Sequence, residues 1–322
     1  MKEIWEKVEA AHQIGICGHV RPDGDCVGTC MALYLYLKKN YPQKAVNVHL
    51  EYMPERFAYL FDGTGYQEGF ENMPECDLFF SLDTGDLERL GAAAKIVEKA
   101  DTCICIDHHI SNTGFADINV VDPDSSSASQ VLFELLDEKK IDKSIATALY
   151  LGIVQDSGCF QYDSTSRRTM EIAGILMEKG VNTSNIVDRT MKQKTYVQNQ
   201  MLGRVLLESL LLLDGQVIAS RITQGMMEFY GATKEDLEGI VEQLRVTQGT
   251  EVAIFLHEVG VLEYKVSMRS KEYVDVSKIA SHFGGGGHVR AAGCTMSGTY
   301  HDILNTLLEW IDLQIKDRSK LI

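Results

Sequence analysis

Short apolar runs alternate with amphipathic stretches along the first half of the chain. The apolar runs predict buried strands at residues 14–17, 45–50, 78–82 and 102–106. Apolar positions that recur every three to four residues predict helices at residues 3–12, 26–38, 87–99, 131–136 and 144–155. Strands that alternate with helices in this way form a parallel sheet with helices on both faces. The first half of the sequence therefore predicts an α/β domain.

The pattern changes after about residue 185, where a long helical pattern at 190–213 is polar at first and then rich in leucine. Beyond it we predict strands at residues 217–222 and 292–296, a hairpin of residues 251–257 with 263–269, and helices at 234–245, 275–283 and 301–316. We therefore expect three parts: an N-terminal parallel-sheet domain over residues 1–188, a helical connector over 189–212, and a smaller C-terminal α/β domain over 213–322.

The net charge, the cysteine spacing and the absence of long apolar runs limit the kinds of molecule that the protein is expected to bind. Among 322 residues, 46 acidic and 31 basic side chains leave a formal net charge of −15. Such a charge disfavours binding to long duplex nucleic acid but allows a small phosphorylated substrate. The eight cysteines lack a paired Cys-x-x-Cys spacing, which disfavours a zinc module. The N-terminus has no apolar core of a signal peptide, and no apolar run approaches the ~18 residues of a membrane span, so we expect a cytoplasmic protein without a membrane partner.

Acidic and histidine side chains follow three of the predicted strands and end one predicted helix. In an open parallel sheet, ligands bind beyond the carboxyl ends of the strands. We therefore expect these side chains to converge although they are distant in sequence. They are His19, Asp23 and Asp25 after the first strand, Asp83 after the third, Asp107, His108 and His109 after the fourth, and Asp156 at the end of the helix.

These residue types predict metal ions. Aspartates at positions 23, 25, 83 and 156 would repel one another and raise one another's pKa. Two divalent cations would cancel the four charges and leave the site receptive to a phosphate. Carboxylates with neutral imidazoles suit Mn²⁺, with Mg²⁺ and Co²⁺ as alternatives. We therefore expect two-metal hydrolysis of a phosphate ester, in which a water between ions about 3.5–4 Å apart is activated for attack on phosphorus.

Each motif taken alone has a plainer interpretation. Pro22-Asp23-Gly24-Asp25 is a common turn sequence, Asp83 could end a strand and cap a helix, and Asp156 could cap a loop. The serine run at residues 125–129 is most simply a set of helix N-cap candidates, with a phosphate contact as the weaker alternative. The plain interpretations would all have to hold at once, so we favour the metal site.

Taken together, the motifs resemble those of the DHH phosphoesterases, in particular the two-domain type with a C-terminal DHHA1 domain. Asp107-His108-His109 is the motif that gives this family its name. Residues 284–293, with the sequence Gly-Gly-Gly-Gly-His-x-x-Ala-Ala-Gly, are similar to the DHHA1 signature. The resemblance covers nearly the whole chain, and the compact length is most similar to the NrnA-type subgroup. The remaining motifs occur in the family's order and are His19-x-x-x-Asp23-x-Asp25, Asp83 and Asp156.

The resemblance implies a role for each residue of the first domain. Asp83 would bridge the two ions, Asp107 would orient a ligand or a water, and His109 would contact the phosphate or protonate the leaving oxygen. The implied ligands are His19, Asp23 and Asp83 for one ion, and Asp25, Asp83, His108 and Asp156 for the other.

In the C-terminal domain the resemblance implies contacts to the substrate. Gly285, Gly286 and Gly287 would let backbone amides approach it without obstruction by side chains. His288 and Arg269 would hold the other end of a nucleotide. Arg269 is equally compatible with a solvated arginine on a strand.

Members of the NrnA-type subgroup hydrolyse very short oligoribonucleotides, and some remove the 3′-phosphate from phosphoadenosine phosphate (pAp) or degrade pApA. The resemblance therefore implies a Mn²⁺-dependent phosphodiesterase and 3′-phosphatase whose partner is a short RNA or a nucleotide. The alternatives are a cyclic-di-AMP phosphodiesterase, a RecJ-like single-strand exonuclease and a non-catalytic nucleotide-binding protein. A monomer and a homodimer are both compatible with the sequence.

Overall fold

The protein is represented by a computed structural model that describes residues 2–319. The chain forms two compact units, Met1–Gln193 and Lys194–Ile322. Each unit has a six-stranded sheet and its own apolar core. Within the described residues, none of the helices combines the length and the apolar character that crossing a bilayer requires.

The first unit is built on a parallel sheet, which confirms the predicted fold class. Its strands are β1 (Gln13–Gly18), β2 (Ala45–Leu50), β3 (Gln67–Glu68), β4 (Leu78–Leu82), β5 (Thr102–Asp107) and β6 (Ile118–Val121). They are arranged in the order β3-β2-β1-β4-β5-β6, and every neighbouring pair is parallel.

In the described part of this unit, eight α-helices accompany the sheet. They are α1 (Lys2–Ala10), α2 (Gly24–Asn40), α3 (Glu55–Ala58), α4 (Ala94–Val97), α5 (Ala128–Leu135), α6 (Lys143–Asp156), α7 (Arg167–Glu178) and α8 (Thr183–Val187). Short 3₁₀ helices lie at Glu88–Ala93 and Glu138–Lys140, and a π-helical turn lies at Asp188–Lys192.

The central strands are apolar along their length because both faces of the sheet are covered. Ile16 on β1 pairs in register with Phe80 on β4, and both lie in the large apolar cluster on one face. The preceding pair puts Phe79 on the opposite face, where it joins Cys103 in a second cluster. Successive residues of a strand point to opposite faces, so an unbroken apolar run fills both cores.

The second unit has a mixed sheet. Its strands are β7 (Leu210–Leu212), β8 (Val217–Ile222), β9 (Val252–Gly260), β10 (Glu263–Ser270), β11 (Gly286–His288) and β12 (Ala291–Ser297). They follow the order β11-β12-β10-β9-β8-β7, with β8 and β9 parallel and the other neighbours antiparallel. The helices are α9 (Tyr196–Leu207), α10 (Gln224–Tyr230), α11 (Ile240–Arg245), α12 (Val276–His282) and α13 (Tyr300–Ser319), with a 3₁₀ turn at Glu235–Leu237.

The continuous helix predicted at residues 190–213 is wrong. The π-helical turn stops at Lys192, and α9 starts afresh at Tyr196 with Thr195 and Gln198 forming a capping box. Leucines 210–212 then pair with β8 rather than extending the helix. Pairing with a neighbouring strand overrides the helical preference of a leucine run. Within the second unit, Met201 and Val205 of α9 pack against residues of β8 and β9.

Two other predicted helices are broken by glycine. Residues 87–99 form a 3₁₀ helix and the short α4, with Gly91 at a φ of 56° inside the 3₁₀ segment. Residues 234–245 form a 3₁₀ turn and α11, separated by Gly239 at a φ of 80°. Left-handed backbone is readily adopted by glycine and ends a regular helix.

Candidate active site

The metal-binding residues expected from the sequence meet beyond the carboxyl ends of β1, β4 and β5. Within the described residues, the side chains that could hold a metal ion fall into three overlapping groups, and in each group the ligand atoms lie within 4.8 Å of one another. The groups are His19, Asp23 and Asp83; Asp25, His108 and Asp156; and Asp83, His108 and His109.

The loop from His19 to Asp25 is fixed by the start of α2. Asp23 is the N-cap of this helix, and its Oδ1 accepts hydrogen bonds from the backbone N–H groups of Asp25 and Cys26, both at 3.1 Å. Nδ1 of His19 lies 2.9 Å from the carbonyl oxygen of Val20. A proton held on Nδ1 by that carbonyl leaves the lone pair of Nε2 for the site.

Asp83 lies between the two main groups. Its Oδ2 is 3.5 Å from Nε2 of His19, and its Oδ1 is 3.6 Å from Nε2 of His108. The side chain is 3% exposed, and Oδ1 has no hydrogen-bond partner in the described part of the chain. The backbone has a φ of 54°, in the left-handed region that favours glycine and that aspartate and asparagine also adopt. A buried carboxylate oxygen without a donor is stabilised by a cation, so Asp83 fits a shared metal ligand.

His108 faces the second group. Its Nε2 is 3.3 Å from Oδ2 of Asp156 and 3.9 Å from Oδ2 of Asp25. Asp25 is buried at the start of α2, whereas Asp156 is the partly exposed last residue of α6. The first turn of α2 and the last residue of α6 therefore bring carboxylate oxygens close to one imidazole.

The carboxylates disturb one another's protonation. Burial and the charge of Asp25 raise the pKa of Asp83 to about 6. Burial, and next the charge of Asp156, raises the pKa of Asp25 well above its usual range, and burial followed by the charge of Asp83 does the same to Asp156. Acids crowded without a counter-charge behave in this way. The donor set therefore fits divalent cations, which would supply that charge.

The pKa values of His19 and Asp23 are shifted in the directions that favour their charged forms. Burial opposes a charge on His19, but its contacts with Asp23 and Asp83 outweigh burial and raise its pKa to about 11. Burial likewise opposes a charge on Asp23, yet the contact with His19 lowers the pKa of Asp23 to about 2. A metal ion would replace the proton on His19, because imidazole binds metals in its neutral form.

Asp107 lies behind these groups and is fully buried. Its Oδ1 is 2.7 Å from Nδ1 of His109, and its Oδ2 accepts a hydrogen bond from Nδ2 of Asn112, also at 2.7 Å. Asp107 belongs to none of the metal-capable groups among the described residues. Its Oδ1 instead orients His109, whose side chain is 41% exposed, while Asn112 holds its Oδ2.

The expected substrate residues lie in the second unit. Arg269 on β10 and His288 on β11 are both in register with Ala291 of β12, so they share one face of the sheet. His288 is exposed. Nε of Arg269 is 3.8 Å from Oε2 of Glu242, and its Nη1 donates to the carbonyl oxygen of Met268 at 3.0 Å. The side chain of Arg269 is 32% exposed, so both side chains are accessible from solvent.

The glycine run has a packing requirement of its own. A Cβ at Gly285 would overlap the carbonyl oxygen of Gly293, and one at Gly287 would overlap that of Ala291. Gly287 also has a φ of 141°, which disfavours other residues. Gly286 faces open space. Glycines 285 and 287 therefore allow the close approach of β11 to β12, and Gly286 leaves backbone uncovered on the surface.

Two residues near the site were missed by sequence reasoning. Asn112 donates a hydrogen bond to Asp107, and its place only five residues beyond Asp107 could have indicated this contact. Gln155 donates from Nε2 to Oγ1 of Thr190 at 2.9 Å and packs where a side chain on Gly24 would stand. Its place beside Asp156 gave no signal, because a lone glutamine at a helix end is common.

Family models match most of the chain. The model of the DHH family N-terminal domain matches residues 13–153, which contain five of the six proposed metal ligands, and that of the DHHA1 domain matches residues 214–317. The chain belongs to the DHH family. The resemblance inferred from the motifs is therefore confirmed.

Similar proteins agree with this assignment. The chain is 30% identical over 304 residues to the bifunctional oligoribonuclease and PAP phosphatase NrnA of Thermus thermophilus, a match covering 92% of this chain and 87% of that protein. The protein of the same description from Bacillus subtilis is 28% identical over 291 residues, covering 86% of this chain and 87% of the relative.

A solved structure shares the fold. The crystal structure of an exopolyphosphatase-related protein from Bacteroides fragilis superposes with a TM-score of 0.85 at 25% identity, covering 97% of this chain and 95% of that one. The agreement extends over both units of the chain.

Proposed function

We propose that this protein is a metal-dependent hydrolase of phosphate esters that cleaves short oligoribonucleotides such as pApA to mononucleotides and converts pAp to AMP. The observation that carries the proposal is the position of Asp83. Its two oxygens face two separate groups of ligands, and one of them is buried without a donor in the described structure. The relatives described as oligoribonuclease and PAP phosphatase supply the substrate class.

Two divalent ions, with Mn²⁺ as the first candidate, suit this donor set of carboxylates and imidazoles. We assign one ion to His19, Asp23 and Asp83, and the other to Asp25, Asp83, His108 and Asp156. When bound, such a pair supplies Lewis-acid polarisation of the phosphoryl oxygens and lowers the pKa of water.

The proton needed by the leaving group is assigned to His109. Nδ1 of His109 is fixed by Asp107, so Nε2 is free to face a substrate. The hydrogen bond with Asp107 favours the protonated ring, which can donate from Nε2 to the leaving oxygen. Asp107 and Asn112 act through His109 by holding its ring in place.

We also propose that the second unit has residues that bind a nucleotide substrate. Arg269 and His288 offer cationic or hydrogen-bonding groups on one sheet face, and Gly285, Gly286 and Gly287 expose backbone beside them. Arg269 would leave Glu242 and pair with a phosphate of the substrate, because a guanidinium group can donate two parallel hydrogen bonds to a phosphate.

The test is AMP release from pApA by metal-free protein, measured with and without added Mn²⁺. Asp83→Ala should reduce turnover to the rate of buffer alone. Asp101→Ala is the matched control, because Asp101 is exposed and precedes β5 at the opposite end of the strand. Equal turnover of wild type and Asp83→Ala would overturn the proposal. A panel of pAp, pApA, longer RNA and cyclic-di-AMP, compared by kcat/KM, separates the proposed substrates from a cyclic-dinucleotide phosphodiesterase.

A further inference from the structure

The carboxylate of Asp25 is held on three sides by the chain. Its Oδ1 accepts hydrogen bonds from the backbone N–H of Ser129 at 3.0 Å and from Oγ1 of Thr29 at 3.1 Å. Its Oδ2 accepts one from the backbone N–H of Ala128 at 2.6 Å. A carboxylate offers about four lone-pair sites. Three are used by these donors, and the fourth remains on Oδ2.

The free lone pair is on the oxygen that faces the metal-capable group. Oδ2 of Asp25 is the atom 3.9 Å from Nε2 of His108, and Asp25 forms a group with His108 and Asp156. Oδ1 has no capacity left for a metal ion. The hydrogen bonds therefore leave Asp25 able to bind an ion through one defined oxygen.

Two hydroxyl groups complete this arrangement. Oγ of Ser129 lies 2.7 Å from Oγ1 of Thr29. Each hydroxyl has one proton, so when Thr29 donates to Asp25, Ser129 donates to Thr29. Both side chains are fully buried. A Cβ at Gly152 would overlap both Oγ of Ser129 and Oδ1 of Asp25, so the backbone of α6 closes the remaining side.

We propose that Thr29 and Ser129 are positioning residues that hold Asp25 as a one-oxygen ligand of the ion bound with His108 and Asp156. The inference rests on the proposed function, because it requires that ion. It also gives the serine run a role beyond capping. Ser127 is the N-cap of α5, accepting a hydrogen bond from the backbone N–H of Gln130 at 3.1 Å, whereas Ser129 serves the carboxylate.

The experiment is a titration of metal-free protein with Mn²⁺. Binding is measured by calorimetry and by the electron paramagnetic resonance signal of unbound Mn²⁺. Wild type should bind two ions. In Thr29→Val, which keeps the side-chain shape but lacks the donor, one affinity should fall about 10- to 100-fold and the other should stay unchanged. Thr29→Ser restores the hydroxyl and should recover the lost affinity.

Ser126→Ala is the matched control. Ser126 belongs to the same serine run and is equally buried, but its hydroxyl donates to Oε1 of Gln130 at 2.9 Å. Both Mn²⁺ affinities should be unchanged in this variant. Ser129→Ala should weaken the same single affinity as Thr29→Val, because it removes the group that orients Thr29.

Folding of every variant is checked by circular dichroism and thermal unfolding. Wild-type affinity for both ions in folded Thr29→Val overturns the positioning role and leaves the proposed function standing. If Thr29→Val does not fold, wild-type affinities in folded Ser129→Ala overturn it instead. A wild-type protein that binds no divalent ion overturns both the inference and the proposed function.

Discussion

Nδ1 of His109 lies 2.7 Å from Oδ1 of Asp107, and this hydrogen bond is the main reason that the pKa of His109 is raised, to about 9. Burial opposes a charge on Asp107, but its hydrogen bonds with His109 and Asn112 outweigh burial and lower its pKa. The pair therefore keeps the proton on the imidazole. With Nδ1 engaged, Nε2 is the nitrogen that can donate to a leaving oxygen.

Replacing His109 by glutamine should lower kcat for pApA by about 10²- to 10⁴-fold, the usual contribution of a general acid. The loss should shrink greatly for a substrate with a nitrophenolate leaving group, because a stable anion needs no proton to depart. The measurement is kcat for both substrates in both proteins at saturating Mn²⁺.

The leaving-group comparison separates proton donation from metal binding. A variant that had lost an ion would be slow on both substrates, and Mn²⁺ titration of His109→Gln checks this directly. An equal loss on the two substrates would remove His109 from the role of acid and leave it as a contact to the phosphate.

Gly152→Ala should disable the site through packing. The added methyl would overlap Ser129 and the Oδ1 atom of Asp25, and a Cβ on the facing Gly28 would already lie 2.7 Å from the backbone nitrogen of Gly152. Overpacking of this kind costs about 1–3 kcal/mol of the free energy of unfolding. We expect that loss in urea unfolding, together with a weakened Mn²⁺ affinity.

The control for this change is Gly174→Ala. Gly174 is an exposed residue within α7, and a Cβ there meets nothing within 4 Å. Because alanine is the better helix former, this variant should be more stable by about 0.5–1 kcal/mol. Equal effects of the two substitutions on stability would contradict the tight contact between α2 and α6.

The convergence of the candidate metal ligands could be predicted from the sequence because each of them lies near the end of a predicted element. In a parallel sheet the ends of β1, β4 and β5 share one edge, so residues far apart in sequence, such as His19 and Asp107, had to converge there. Their residue types then indicated cations. The positions of β1, β2, β4 and β5 and the parallel sheet followed from the apolar runs, whereas β3, β6 and the strand order were not predicted.

The contacts that hold the carboxylate of Asp25 in place could not be predicted from the sequence. The hydrogen bond between Thr29 and Ser129 joins residues 100 positions apart and depends on how closely α2 approaches α5 and α6. Helix packing at that distance is decided by the glycines at 28 and 152, and an isolated glycine in a helical pattern is only a weak signal. The break after Lys192 was missed because a capping residue, Thr195, looked like part of a continuing helix.

Asp142 should stabilise α6 in a pH-dependent way. It is the N-cap of α6 and lies 2.7 Å from Nζ of Lys39. Burial opposes its charge, but the contact with Lys39 outweighs burial and lowers its pKa to about 2. The unfolded value is about 3.9. The stabilisation is therefore complete above that value and is lost as the pH falls through about 2.

Asp142→Asn keeps a capping side chain but removes the charge. At pH 7 it should lower the free energy of unfolding by only about 0.5–1 kcal/mol, because the carboxylate is partly exposed to solvent. The difference from wild type should close between pH 4 and 2, as followed by urea unfolding. Lys39→Met should lose a similar amount at pH 7. A gap that persists unchanged at low pH would assign the effect to capping alone.

Asp83→Asn should be at least as stable as wild type without metal and less stable than wild type when Mn²⁺ is added. The pKa of Asp83 is raised to about 6 by burial and by Asp25, so its ionised form destabilises metal-free protein at pH 7. Asparagine removes that charge and tolerates the backbone φ of 54°. Metal-free Asp83→Asn should therefore be at least as stable as wild type in urea unfolding.

Excess Mn²⁺ should then stabilise wild type by about 2.7 kcal/mol for each ion whose free concentration is 100 times its dissociation constant. Asp83→Asn should gain much less, because it lacks the charge that both groups of ligands share. Asp101→Asn, at an exposed position, should behave as wild type in both conditions. A metal-free Asp83→Asn that is less stable than wild type by more than about 1 kcal/mol would show that the protein itself stabilises the ionised carboxylate. In that case Asp83 would not need a cation for its stabilisation.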